Sequence, residues 1–401
     1  MKEFYGSDIL LENETAKKIY KEIKDLPIID YHCHLDEKAI KEDRRFSDIG
    51  DMWLSSDHYK WRAMRLCGVD EKYITGNATN KEKFFEFARI MPKLCGNPVY
   101  MWAQMELCNI FGIKTPLDSE TAQQIWDEAN AKINDLSVVK LLEKFRVEYI
   151  ATTDDPYSDL ECHGKIGNIM VAPTFRADAR FKEGVSKEEL EKRLDFFNKK
   201  GCKIADYGFD FIDENDENLV WLIEQCQKRN MILQLHIGTY RNVNTAMFAK
   251  CSRDSGFDIM RGDISCDRLV QILDRENTKL GSLPTIVIYP LNDADLRAFA
   301  TLTGAFTQVK IGAAWWFNDT VCGIKRQLET VSEYSALGTQ YGMLTDSRSF
   351  ASYVRFDFYR RILSSFIGKK VEDGEYDLSC AVSLASDIAY YNIKKVIEKS
   401  N

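Results

Sequence analysis

Eight short apolar runs alternate with helix-like stretches, and this alternation constrains the fold of the chain more than any other feature. The runs lie at 26–35, 148–153, 169–172, 202–206, 231–236, 285–289, 308–312 and 341–346. A short apolar run followed by a helical stretch is typical of a βα unit, and successive units build a parallel sheet. Eight such units predict an α/β fold, a (β/α)₈ barrel of the TIM type. No Gly-x-Gly-x-x-Gly follows any run to favour a dinucleotide-binding sheet.

The stretch between the first and second runs has a different, almost entirely helical pattern. Its length is unusual for a single βα connection, so we predict an insertion after strand 1. We expect residues 1–35 and 146–401 to form the barrel and residues 36–145 to form a helical insertion that contributes to a site at the barrel's mouth. With 401 residues, the chain is long enough for both.

The composition excludes several classes of function. Hydrophobic residues make up 45% of the chain and charged residues 29%, as in soluble globular proteins. The formal net charge of -8 argues against nucleic acid as a partner, and no apolar run approaches the roughly 20 residues that cross a membrane. The N-terminus lacks a signal-peptide core, and the 11 cysteines are scattered. We therefore expect a cytoplasmic protein that acts on a small molecule. The sequence leaves open whether the protein forms a homo-oligomer.

Two histidines at the end of the first run are candidate metal ligands. His32 and His34 lie two positions apart, so both leave the strand on the same face. The chain contains only five histidines, which favours a ligand pair over two unrelated core residues. A metal site needs three or four donors, so others must come from elsewhere. Asp346 ends the eighth run, beside the first run once a barrel closes. We favour a metal-ligand role for Asp346 over the alternative of a helix N-cap.

Other polar and aromatic residues follow the remaining runs, where barrel enzymes assemble their sites. For Arg176 and Arg348 the ordinary interpretation is a surface ion pair, but their place at the strand ends favours binding of a carboxylate, for which Arg176 is the first choice. A guanidinium grips a carboxylate with two parallel hydrogen bonds. His236 is either a hydrogen-bonded core histidine or a third nitrogen donor. Trp315 and Trp316 fit core packing, or the apolar wall of a sugar pocket.

One segment of the predicted insertion, residues 56–65, is dense in aromatic and basic groups. A solvated helix face is the ordinary interpretation for its lysine and arginines. His58 and Tyr59 are different, because both can exchange protons or hydrogen-bond a hydroxyl near neutral pH. We therefore add this pair to the candidate site.

Taken together, these motifs resemble the uronate isomerase (glucuronate isomerase) family of the amidohydrolase superfamily, over nearly the whole chain. The resemblance rests on the segments 26–35 (LPIIDYHCHL), 57–65 (DHYKWRAMR), 152–156 (TTDDP), 234–238 (QLHIG), 315–319 (WWFND) and 343–350 (MLTDSRSF). His-x-His is common in the superfamily, whereas the second, fifth and sixth segments together are specific to this family. The resemblance implies a (β/α)₈ barrel with a helical insertion after strand 1.

The resemblance also implies an aldose–ketose isomerase of sugar acids. Its expected reactions are the interconversion of D-glucuronate with D-fructuronate and of D-galacturonate with D-tagaturonate. It implies that one divalent metal, usually zinc, is held by His32, His34 and Asp346. The remaining expected site residues surround the substrate: His58, Tyr59, Arg176, His236, Trp315, Trp316 and Arg348. We expect catalytic roles for Asp346, Tyr59, His58 and Arg348; Asp346, Tyr59 and a metal-bound water all remain candidates for the base.

The chain departs from the family at two histidine positions, which are Tyr207 and Phe356 here, and its loops near 176–190, 210–220 and 304–309 are shorter. The alternatives are a metal-dependent hydrolase that opens a sugar-acid lactone or amide, or a uronate-binding protein without activity. Against the hydrolase, the fourth run ends in Asp206 and not in the lysine of a two-metal site.

Overall fold

The computed structural model describes residues 2–252, 254–262 and 264–399. Its strands are Ile28–Asp30 (β1), Val147–Ala151 (β2), Gly164–Ile166 (β3), Ile169–Ala172 (β4), Thr174–Arg176 (β5), Ile204–Phe209 (β6), Ile232–Ile237 (β7), Thr239–Tyr240 (β8), Ile259–Met260 (β9), Ile286–Pro290 (β10) and Val309–Ile311 (β11).

The α-helices are Glu14–Ile23 (α1), Glu37–Lys41 (α2), Ile49–Leu54 (α3), His58–Leu66 (α4), Asn80–Ile90 (α5), Pro98–Phe111 (α6), Ala122–Ile133 (α7), Val138–Lys144 (α8), Asp178–Lys182 (α9), Lys187–Lys199 (α10), Glu217–Arg229 (α11), Thr245–Cys251 (α12), Cys266–Leu280 (α13), Leu296–Ala305 (α14), Val321–Tyr334 (α15), Val354–Glu372 (α16), Leu378–Ser386 (α17) and Asn392–Lys399 (α18). Short 3₁₀ turns lie at Glu71–Tyr73, Met91–Leu94, Trp316–Asn318, Leu337–Thr339 and Phe350–Tyr353, and a π-helical turn lies at Asp387–Tyr391. Across the described ranges, no helix is both long and apolar enough to cross a membrane.

Two parallel sheet segments follow one another in the predicted order. One has the order β1-β2-β4, with β3 added antiparallel at its edge, and the other has the order β5-β6-β7-β10-β11. Pro173 separates β4 from β5, because proline has no backbone N–H to donate to a ladder. A parallel bridge between Asp154 and Phe175 links the two segments across this break. The third predicted strand, residues 169–172, is therefore β4, and β5 continues beyond the break and ends at Arg176.

The eighth apolar run, residues 341–346, forms no strand in the structure, so that part of the prediction is wrong. The run still lies beside β1. The N–H and hydroxyl of Thr345 donate to the buried Asp30 carboxylate at 2.9 and 2.6 Å, and the Asp346 N–H donates to the His32 carbonyl at 3.0 Å. The Asp30 carboxylate therefore accepts a hydrogen bond from the Thr345 N–H, a backbone group that a strand would use to pair with its neighbour. Within the described residues, no backbone ladder joins this run to β11.

The side chains that point inward from all these segments share one hydrophobic cluster. It takes Ile29 from β1, Tyr149 from β2, Ile232 from β7, Val287 from β10 and Leu344 from the eighth run, all nearly inaccessible to water. A filled interior of this kind is typical of a TIM-type barrel. The interior packing therefore brings the carboxyl ends of the strands together at one face.

Helices α2 to α8 form the stretch between β1 and β2, as predicted for the insertion. Their apolar side chains, such as Trp53 and Phe84, belong to one core that continues into α16 through Phe358. Helix α4 begins at His58 because the carboxylate of Asp57 accepts hydrogen bonds from the first free backbone N–H groups. This start places His58 and Tyr59 in the first helical turn. The division into two domains stays a prediction.

Candidate active site

His32, His34 and Asp346 converge on one point at the strand ends. The Nε2 atoms of His32 and His34 lie 3.2 and 3.1 Å from the same Asp346 oxygen, Oδ1. His32 is buried, and neither of its ring nitrogens has a hydrogen-bond partner among the described residues. Asp346 has a positive φ of 44°, a conformation that costs a non-glycine residue roughly 1–3 kcal/mol. The surrounding structure thus holds this carboxylate in a strained but fixed place.

The donor chemistry of this cluster suits a divalent metal. Burial opposes ionisation of Asp346, but the close imidazole nitrogens of His32 and His34 outweigh burial and hold the pKa of Asp346 well below the usual range. An ionised carboxylate oxygen beside two imidazole nitrogens is a common ligand set for a divalent ion. The unpartnered buried nitrogens of His32 fit such an occupant. The structure therefore brings together the three predicted ligands as a group that could hold a metal.

A second group shares His32 and adds Asp206 and His236. His236 Nδ1 lies 2.7 Å from Asp206 Oδ1, so Nδ1 carries the proton and Nε2 is left as a buried acceptor without a partner in the described chain. The other Asp206 oxygen pairs with Arg176 Nη1 at 2.8 Å. Burial disfavours the ionised form of Asp206, yet Arg176 and the neighbouring histidines hold its pKa far below normal. His236 is therefore a buried, hydrogen-bonded histidine, and its free Nε2 also keeps it in a group that could hold a metal.

Arg176 is more deeply embedded than the sequence indicated. Its Nε donates to Asp178 at 2.8 Å while Nη1 binds Asp206, so carboxylates of the protein occupy two of its donor positions. Burial lowers the pKa of this guanidinium, but Asp206 and Asp178 more than offset that effect, so the group stays charged. Gly208 makes room for it, because a Cβ at that position would lie 2.7 Å from Nη2.

Replacing Gly208 by alanine should therefore displace the Arg176 guanidinium while keeping its charge. We expect a loss of about 1–2 kcal/mol in the free energy of unfolding, from a weakened charge-assisted hydrogen bond, together with a reduced kcat/KM on the substrate. Urea unfolding and steady-state kinetics measure the two effects. Gly304→Ala is the matched control, because a Cβ there meets open space on α14. If the two variants had the same free energy of unfolding and the same kcat/KM, Gly208 would not be needed to make room for the Arg176 guanidinium.

His58 and Tyr59 form the wall that the insertion contributes. Their ring centroids are 4.6 Å apart, and the His58 ring is 6.0 Å from Trp316. Burial and the charge of Arg348 lower the pKa of His58 to about 4, so its imidazole is neutral at pH 7. Burial raises the pKa of Tyr59 well above normal, so its hydroxyl is protonated. The wall therefore presents uncharged groups that hydrogen-bond without adding charge.

The remaining predicted residues also lie near Asp346. The indole N–H of Trp315 donates to Asp346 Oδ2, and the Trp315 ring packs 4.7 Å from His236. Trp316 lies against His58, as described above. Arg348 Nη2 forms an ion pair with Asp254 Oδ2 at 2.9 Å. The cluster, the two tryptophans and Arg348 thus form one continuous site.

A segment between β8 and β9 contributes residues that the sequence analysis missed. Asp254 pairs with Arg348, and the guanidinium of Arg241 lies 5.5 Å from the Trp316 ring. The segment is tied to α4, because Arg62 donates to the carbonyls of Gly256 and Asp258 at 3.1 Å. The one sequence signal for this contact was the basic face of residues 56–65, which we interpreted as solvated.

The two positions that depart from the family pattern lie outside both metal-capable groups. The Tyr207 hydroxyl donates to Asp216 at 2.9 Å, because alternation along β6 turns Tyr207 away from the face that carries Asp206. Phe356 is buried in the core and stacks on Tyr353. Neither substitution removes a member of the His32 cluster.

Known proteins resemble this chain over nearly its whole length. A family model described as glucuronate isomerase matches residues 1–188 and 215–397. A uronate isomerase of Caldanaerobacter subterraneus subsp. tengcongensis is 39% identical, over 98% of this chain and 99% of that protein. One of Clostridium perfringens is 37% identical over the full length of both. The alignment with the former spans 467 positions, more than the 401 residues of this chain, in line with its shorter loops.

Solved structures give the same result. The crystal structure of a uronate isomerase from Thermotoga maritima aligns with a TM-score of 0.93 and 31% identity, over 99% of this chain and all of that one. A glucuronate isomerase from Caulobacter crescentus aligns with a TM-score of 0.90 over 99% of this chain and 97% of that one; at 24% identity it supports the fold.

The fold and the His32 cluster define an α/β enzyme whose site lies at the carboxyl ends of a parallel sheet and can hold a metal. The chain belongs to the glucuronate isomerase family. The predicted fold class, the predicted family and the prediction of an isomerase are thereby confirmed.

Proposed function

We propose that this protein interconverts D-glucuronate with D-fructuronate and D-galacturonate with D-tagaturonate, as a cytoplasmic enzyme that uses one zinc ion. The observation that carries the proposal is the convergence of His32 and His34 on Asp346 beside the wall formed by His58 and Tyr59. Membership of the family supports the reaction class. A homo-oligomer stays a prediction.

The proposed ligands are His32, His34 and Asp346, and nitrogen and oxygen donors of this kind suit zinc. We propose a single ion because Arg176 already neutralises the Asp206 carboxylate of the second group, which leaves that group less suited to a further cation. When bound, the ion supplies a fixed positive charge that stabilises negative charge on substrate oxygens.

Two residues of the chain move the protons in this proposal. The Asp346 carboxylate takes the proton from C2, and the C–H electrons form a C1–C2 double bond. Tyr59, protonated because it is buried, gives its proton to the C1 oxygen, and an enediol results. The C2 hydroxyl then returns a proton to Tyr59 as the C2 carbonyl forms, and Asp346 delivers its proton to C1. Protons balance, and both residues end as they began.

The substrate is held by the groups that surround this cluster. A cavity of about 580 Å³ adjoins it, lined by His34, Ser56, Thr153 and Arg348, whose hydroxyl and guanidinium groups suit a polyhydroxylated acid. We assign carboxylate or hydroxyl binding to Arg176 and Arg348, and further contacts to His58 and His236. Trp315 and Trp316 supply the apolar wall. Neutral His58 avoids repelling the positive charges in the site.

Removal and restoration of metal tests the proposal. Chelator-treated protein should lose conversion of both uronates, and one equivalent of zinc should restore it more fully than magnesium or calcium, which prefer all-oxygen sites. Ketose is measured by proton NMR, and metal by elemental analysis. Metal-free protein with full activity would contradict the metal role. Zinc-loaded protein that forms no ketose from either uronate would contradict the reaction.

A further inference from the structure

Arg355 is a buried cation just behind the site, and none of the roles above uses it. It lies in the first turn of α16 and is 2% exposed. Its Nε donates to Asp319 Oδ2 at 2.8 Å, and Nη2 binds the same oxygen. Asp319, itself fully buried, directly follows the 3₁₀ turn Trp316–Asn318. The pair therefore ties α16 to the loop that carries the two tryptophans.

The guanidinium of Arg355 packs against Tyr59. Its Cζ atom lies 5.1 Å from the centroid of the Tyr59 ring and 4.5 Å from that of Trp102. Trp102 meets the Tyr59 ring edge-on at 5.7 Å, and His58 lies on it at 4.6 Å. Distances of this kind are those of a cation–π contact. Arg355, Trp102 and His58 thus fix the plane of the tyrosine ring.

Two polar atoms of this cluster are buried without a partner in the described part of the chain: the hydroxyl of Tyr59 and Nη1 of Arg355. A buried polar group left unpaired costs roughly 1–3 kcal/mol. The charge of Arg355 acts directly on the hydroxyl: burial raises the pKa of Tyr59, Arg355 opposes that rise, and Asp346 adds to it. The hydroxyl therefore lies within the electrostatic reach of both Arg355 and Asp346.

We propose that Arg355, held by Asp319, is a positioning residue that acts through Tyr59. It fixes the direction in which the Tyr59 hydroxyl donates, and its charge stabilises the phenolate that forms when Tyr59 gives its proton to the C1 oxygen. The Tyr59 O–H bond breaks as the substrate O–H bond forms, and the C2 hydroxyl later restores it, so no further reactant is needed. This inference rests on the proposed role of Tyr59.

The same helix contains a matched residue for comparison. Arg360 is also buried on α16, but it donates to the backbone carbonyls of Lys24 and Pro27 at 3.1 and 2.8 Å. Its contacts are those of a purely structural arginine. Arg355→Lys and Arg360→Lys therefore make the same chemical change in two buried places: each keeps the positive charge but replaces the planar guanidinium, and only the first does so beside Tyr59.

A double-mutant cycle tests the inference. We expect Arg355→Lys to lower kcat on D-glucuronate by about 10–100-fold, part of the roughly 10²–10⁴-fold that acid–base catalysis contributes. KM should change little, because the effect lies in proton transfer. In a Tyr59→Phe background the same change should lower kcat less than about twofold, since coupled residues are not additive. Arg360→Lys should leave kcat near wild type. Circular dichroism and thermal unfolding check that each variant is folded.

Each outcome bears on the inference. An unchanged kcat in Arg355→Lys, or an equal loss with and without the Tyr59 hydroxyl, overturns it while leaving the isomerase intact. If Arg355→Lys fails to fold, Asp319→Asn replaces it in the cycle, since it removes the anchor of the guanidinium, and the same non-additivity is required. A wild-type enzyme that converts no uronate overturns the proposed function and this inference together.

Discussion

Replacing His32 by alanine is expected to remove the bound metal and the isomerase activity together. His32 belongs to both metal-capable groups, and its Nε2 lies 3.2 Å from Asp346 Oδ1. Loss of residues that merely support metal ligands costs about 10–100-fold in affinity or activity, so loss of a ligand should exceed that range. Metal content is measured by elemental analysis, and kcat/KM by ketose formation.

His163→Asn is the matched control for this prediction. His163 is also a poorly exposed histidine, but its Nε2 contacts Thr152 and Asp154 and it belongs to neither metal-capable group. The control should keep metal and most of its activity. A His32→Ala protein that retains metal and wild-type kcat/KM would show that His32, His34 and Asp346 are not the metal site.

Arg176→Met should cause the largest loss of stability among the site variants. The substitution leaves Asp206, which is fully buried, and Asp178 without their cation. Removing one partner of a buried ion pair typically costs about 3–5 kcal/mol. Urea unfolding should show a loss of this size. Arg326→Met is the control, since Arg326 pairs with Asp293 at an exposed position where an ion pair contributes about 0–1 kcal/mol.

The double variant Arg176→Met with Asp206→Asn separates charge from packing. Removing the stranded carboxylate charge should recover part of the lost stability, because the cost arises from an uncompensated buried charge. A single variant as stable as the wild type would show that the protein relaxes around these carboxylates. A double variant no better than the single one would show that the lost packing of Arg176 dominates.

The parts of the fold that were predicted correctly depend on local patterns. Buried parallel strands are continuous apolar runs, so seven of the eight runs contain or become strands. The His32 cluster was predictable because strand ends meet at one face of a barrel. The eighth run forms no strand because Thr345, within it, bonds to the side chain of Asp30. These two residues lie 315 positions apart, so no local sequence pattern could predict their contact.

The parts of the site that were missed depend on long-range pairs. Asp254 reaches Arg348 from a segment with no long strand of its own, and Arg355 finds Asp319 across 36 positions. Arg176 stays a predicted ligand of the substrate, but its two carboxylate partners within the protein, Asp178 and Asp206, were not predicted. The sequence shows at which strand end an arginine lies, but the packing of distant segments decides which carboxylate it pairs with.

Proton NMR of the reaction in deuterated water, with D-glucuronate and, separately, D-galacturonate, tests the proposed isomerisation and its base at once. Zinc-loaded protein should form the matching ketose, with solvent deuterium at C1 in an amount that reports how far the Asp346 proton exchanges before it is returned. Asp346→Asn should form no ketose. Metal-loaded wild-type protein that leaves both uronates unchanged would show that this protein is no uronate isomerase, and an Asp346→Asn protein that converts them at the wild-type rate would show that Asp346 is not the base.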